Sequence, residues 1–189
     1  MTLFRASVLT VATLAALLAA VALVGPQRAG GLAACALDRA RHGATRELGG
    51  VTVRLPASWW ERGRDNPRGT SELRVARVPH SRAGRAPVAI VRHVNFDLSR
   101  DKAEEAFTTL SWESAEYGAW EPAEIVDADL GGRPGYEIRY QRLLPGPGGI
   151  EDVSSDFLLP AENLWVQCSP MSADDLTQCR EIAASASKR

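Results

Sequence analysis

Lysine is almost missing from this chain. Two lysines stand beside twenty arginines, a bias of the kind GC-rich coding produces, which bears on source and not on task. Acids and bases nearly cancel, leaving a net charge of −1, so the total gives no reason to expect nucleic acid or an acidic surface as partner. Only three cysteines and three histidines are present, and their spacing does not suit a zinc site. His80 and His93 make a poor metal pair, and His42 stands well apart from them. No Gly-x-Ser-x-Gly elbow occurs, which removes the usual α/β-hydrolase nucleophile. The runs 131–135 (GGRPG) and 145–149 (PGPGG) are interrupted by proline and followed by no Lys-Ser/Thr pair, so they read as turns and not as phosphate loops. No internal repeat or low-complexity tract appears. No catalytic residue, cofactor or metal ligand is expected on these grounds.

What is present is a globular composition, 45% apolar and 24% charged over 189 residues, enough for one domain behind a targeting segment. Its charge is unevenly laid out. Residues 36–100 carry thirteen arginines against six acids, net +7, and residues 101–189 carry seven bases against seventeen acids, net −10. If both halves share one sheet, these charges neutralise each other across the fold.

The longest apolar run is Val8–Val24, uncharged and without a polar face. With Ala6 and Ser7 it would make a helix of about 28 Å, close to the thickness of a hydrocarbon core. Gly25-Pro26 stops it. Residues 1–24 are therefore expected to be a membrane anchor or signal segment, followed by a tether over 25–48 with a short helical piece around 33–41. Leu32-Ala33-Ala34-Cys35 is similar to a bacterial lipoprotein box, although ten residues including Arg28 separate Cys35 from the apolar run. Three fates stay open for Cys35: lipidation, a place just outside an uncleaved anchor, or removal of the segment by ordinary cleavage. Arg28, Arg39 and Arg41 outnumber Arg5, which by base counting would hold the domain inside the cell. Long domains translocate largely regardless of such charges, and the domain is placed outside the membrane, or secreted if the segment is cleaved.

From residue 49 to 189 the pattern is that of one α+β domain. Strands are expected at 51–55, 73–78, 88–96, 124–130, 136–143, 153–159 and 163–168, with a polar loop over 61–71. Ser99 caps a helix over 100–117, and Ser172 with Asp175 makes a capping box for a final helix. Short hairpin connections favour a mainly antiparallel sheet flanked by helices. Asp127 and Asp129 alternate to the solvent side. Trp112 lies opposite the apolar stripe of the first helix. Trp60 and Trp112 are the candidate partner contacts, since tryptophan anchors interfaces well. Cys168 ends a strand and Cys179 faces inward from the returning helix, as a disulfide or as two reduced core thiols.

LPASW after the first strand, the Gly-Arg-Pro-Gly-Tyr-Glu hairpin, LWVQCSP and CREIAAS together resemble small actinobacterial lipoproteins, the LpqN-like proteins, whose domain is related to the PsbP-type α/β/α sandwich. The resemblance spans about residues 51–185. It implies that fold, a pairing of Cys168 with Cys179, a tryptophan plugging the sheet end, and action through contacts and not catalysis. The expected function is a membrane-tethered extracytoplasmic non-catalytic binding or interaction domain. Its partners would be the membrane, through the N-terminal segment, and an envelope protein or small apolar ligand. The alternatives are a structural or assembly subunit of a cell-envelope complex and an unrecognised hydrolase.

Overall fold

The alternating strands condense into two antiparallel sheets. A computed structural model describes residues 22, 25–65, 70–78, 87–105, 120–142 and 153–188. Helix α1 spans Pro26–His42, and strands β1 and β2 span Thr45–Leu48 and Val51–Arg54. Strands β3 (Trp59–Asp65), β4 (Ser71–Arg77) and β5 (Val88–His93) follow, then a helical stretch over 100–105. β6 (Trp120–Asp129), β7 (Pro134–Arg142), β8 (Val153–Leu159) and β9 (Leu164–Met171) lead to helix α2 (Ala173–Ala184) and the two-residue β10 (Ser187–Lys188). The large sheet has the order β3-β4-β5-β9-β8-β7-β6, and the small one β1-β2-β10. Every pairing is antiparallel.

The large sheet buries both faces by period-two alternation. Leu73 and Val75 of β4, Val91 of β5, Val166 of β9 and Phe157 of β8 point to an inner face. There they meet Val51 and Val53 of the small sheet and Cys179, Ile182 and Ala183 of α2. A smaller cluster, Val94, Leu98, Ala103, Ile138 and Leu158, occupies the outer face beneath residues 94–105. The expected capping box is present: the Ser172 hydroxyl accepts from the Asp175 amide, and the Asp175 carboxylate accepts from the Ser172 amide. At its other end α2 is held by Arg133, whose guanidinium donates to the carbonyls of Ala184 and Ala186 and to Glu162. A cation suits that negative helix end. Gly131, at φ +71°, lies where any Cβ would strike the Ala184 carbonyl, so the hairpin can approach the helix only with glycine there.

Two stretches depart from the sequence expectation. Residues 25–48, expected as a tether with a helical piece at 33–41, fold into the longer α1 and into β1, and pack on the domain. Gly31 allows this, because a Cβ there would overlap Val78. The buried Arg46 then ties the parts together, pairing with Asp38 of α1 at 2.5 Å and Glu61 of β3 at 2.7 Å. The expected polar loop over 61–71 instead contains most of β3 and the first residue of β4. β3 is an edge strand with a bulge between Glu61 and Gly63, which shifts the alternation, and its charges are those edge strands carry. The helix expected over 100–117 is described only to residue 105. No helix among the described residues is long and apolar enough to cross a membrane; the run Val8–Val24 lies outside them except for Ala22.

Candidate binding face

A row of polar side chains crosses the outer face of the large sheet. Glu72 and Arg92 are register partners on β4 and β5, and Arg92 is paired with Trp165 on β9. Gln167 and Asp156 are partners on β9 and β8. The Arg92 guanidinium donates to Glu72 at 2.9 Å and to the Gln167 side-chain Oε1 at 2.9 Å, and lies 5.4 Å from the Trp165 ring centre. Arg74 also donates to Glu72, at 2.6 Å. Burial raises the Glu72 carboxyl, but these two guanidinium contacts outweigh it and hold the group below its ordinary range.

Asp156 ends the row and differs from every other acid in it. It is 1% exposed. The Trp165 indole donates to Oδ2 at 2.8 Å and the Tyr140 hydroxyl at 3.1 Å, while Oδ1 accepts no hydrogen bond from any described residue. Burial pushes its carboxyl up to about 7, against the lowering effect of both donors and the Arg92 charge. Burial and the neighbouring carboxylate likewise push the Tyr140 phenol up, so it stays a donor. Orphaned carboxylate oxygens are costly inside a protein. Tyr140 and Trp165, which bond Asp156, and Tyr136 and Ile90 on the same face are half-buried. The face thus combines a dry acid with one buried, unpartnered oxygen, aromatic edges and a fixed cation. A ligand that reached this oxygen would need a hydrogen-bond donor on a flat or apolar body.

An open groove of about 460 Å³ lies near the Glu72 end, lined by Glu47, Gly49, Arg64, Asp65, Ser71 and Glu72. Its charges are already engaged, Arg64 with Glu61 and Glu72 with the two arginines. No group of three His, Cys, Asp or Glu among the described residues could hold a metal ion.

The residues singled out from the sequence are dispersed. Cys168 and Cys179 lie within disulfide distance, with Cα atoms 6.3 Å apart, both fully buried. Cys35 is the free cysteine, buried in the middle of α1 with its thiol directed at the carbonyls of Ala57 and Trp59. Trp59 is buried, and its indole donates to Gln178 of α2. Trp60 is half-buried on the edge strand, its indole nitrogen has no partner among the described residues, and Arg62 lies 5.8 Å from its ring centre. Trp112 and His80 lie outside the described residues. His42 pairs with Asp38 on α1, and His93 packs against Gly49. Asp127 and Asp129 are exposed as expected.

Asp156 went unnoticed in the sequence although a signal exists. In 153–159 (VSSDFLL), alternation puts Asp156 on the same face as Leu158, so an acid shares a covered face with a leucine. The chain matches no protein-family profile and no curated protein.

Proposed function

We propose that this protein is a membrane-tethered extracytoplasmic domain that works by binding, and that the outer sheet face around Asp156 receives its ligand. The observation that carries the reading is the buried carboxyl whose Oδ1 has no described partner beside half-buried Trp165 and Tyr140. Its described neighbours, indole, phenol, guanidinium and amide, orient a ligand and do not attack one. The buried Cys168–Cys179 pair favours an oxidising compartment, and the apolar run Val8–Val24 supplies the tether. The folding of residues 26–34 into α1 favours an uncleaved anchor over lipidation at Cys35. Antiparallel sheet packed by helical elements on both faces is what the LpqN-like and PsbP-type assignment calls for, and we retain that assignment as part of the proposal.

The second reading, an assembly subunit, draws on half-buried Trp60 with Arg62 beside its ring on the edge strand, residue types enriched at interfaces. One experiment separates the two. A photo-crosslinking residue replaces Ile90 on the outer face or Arg62 on the edge strand of the full chain in cells. Adducts from position 90, lost on Asp156→Asn, support the ligand face. Adducts from position 62 alone, unaffected by that substitution, replace it with the assembly reading.

A further inference from the structure

Helix α1 shows the solvent a face it has no reason to show. Its docked side is narrow: Gly31 against Val78, Cys35 against the carbonyls of Ala57 and Trp59, Asp38 on Arg46, and Arg39 on the carbonyls of Leu55 and Pro56. On the opposite side Leu32, Ala36, Ala29, Ala40, Ala33 and Leu37 fall within about 140° of the wheel. No charged residue interrupts that arc. Leu32 is 44% and Leu37 57% exposed, and Ala33, Ala36 and Ala40 are exposed beside them. Arg41 is exposed at the flank of the arc.

What covers this face follows from where the chain before it ends. The apolar run Val8–Val24 stops two residues before the first residue of α1. Two residues of extended chain reach no more than about 7 Å, so if that run ends at a bilayer surface, α1 begins at that surface. A helix with an apolar face, a polar docked side and a basic flank is the type that lies in the headgroup layer, immersed by about 5–10 Å. We propose that the outward face of α1 rests in the headgroup layer of the bilayer that holds the N-terminal segment, fixing the domain in one orientation on the membrane. This inference rests on the tethered reading above.

The test uses the full-length chain reconstituted into phosphatidylcholine–phosphatidylglycerol vesicles containing a headgroup nitroxide lipid. A fluorophore is attached to Ala33→Cys, Leu37→Cys or, as a distant control, Asp127→Cys. The unsubstituted chain corrects for labelling of the native cysteines, which are all buried. Vesicle flotation is measured on the same samples. Flotation with several-fold stronger quenching at 33 and 37 than at 127 is the expected result. Flotation with equal quenching at all three positions overturns the proposal and leaves the tether standing. Disulfide formation between copies at position 37 without lipid quenching also overturns it, since a second chain would then cover the face. A chain that fails to float removes the tether itself, and the proposal with it.

Discussion

Asp156 shows how one residue can set a pH dependence. Its folded-state value near 7 lies well above the unfolded value of 3.8, so between those limits the folded state binds more protons than the unfolded chain. Stability therefore falls as pH rises through that window, at about 1.4 kcal/mol per unit and on the order of 4 kcal/mol in all, and levels off above pH 7. Glu61 and Glu72 act with opposite sign. Burial raises both, but their arginine contacts outweigh it and lower them, so their stabilisation is present above about pH 4.5 and disappears as pH falls below it. The two effects occupy different windows. Urea unfolding at pH 5 and pH 8 is expected to show the native chain weaker at pH 8, and Asp156→Asn nearly level between the two. A variant that declines as steeply as the native chain would place the titrating group elsewhere.

At the scale of elements, the strands with regular alternation and tight turns were legible from the sequence, and those whose reason lies across the fold were not. β2, β7 and β8 show their faces in their own residues, and the Ser172–Asp175 box marks the start of α2 without reference to anything distant. β3 hides because a bulge resets its period and an edge strand tolerates charge. The second half of α1 was legible as the helical piece at 33–41, but its first turns hide because the glycine pair lowers helix propensity, while the need for Gly31 comes from Val78, far along the chain. Asp156 was unread for a related cause: the cover over its face is set by packing and not by its neighbours in sequence. Arg46 tests the docking of α1. Its guanidinium is 2% exposed and also donates to the carbonyls of His42, Gly43 and Thr45. Arg46→Met leaves Asp38 without that partner and is expected to cost about 3 kcal/mol. Amide exchange should rise in α1 and β1 before it rises in the large sheet, and uniform loss of protection would show that α1 is not a separable layer.

Over the whole molecule, the basic first half and acidic second half meet at a few cross-links, Arg77 with Asp174 and Asp175, and Arg100 with Asp127. Among the described residues four arginines of the first half, Arg46, Arg64, Arg74 and Arg92, instead pair with acids of that same half. Neutralisation across the sheet is thus partial, and the N-terminal part of the chain is fastened by its own contacts. This bears on the fate of Cys35. Processing at a lipoprotein box would discard residues 1–34 and leave Cys35 as the acylated first residue. The discarded piece would include the first half of α1 with Gly31, and the thiol would have to leave a site where it is 4% exposed and faces two backbone carbonyls. A folded domain that uses Gly31 as packing cannot lose residues 26–34 without uncovering Val78. Intact mass of the native protein is therefore expected to retain residues 1–34, carry no acyl addition at Cys35, and be two daltons lighter than the fully reduced chain, from Cys168–Cys179. A mass lacking residues 1–34 and bearing acyl chains would mean that the first half of α1 is not part of the mature protein.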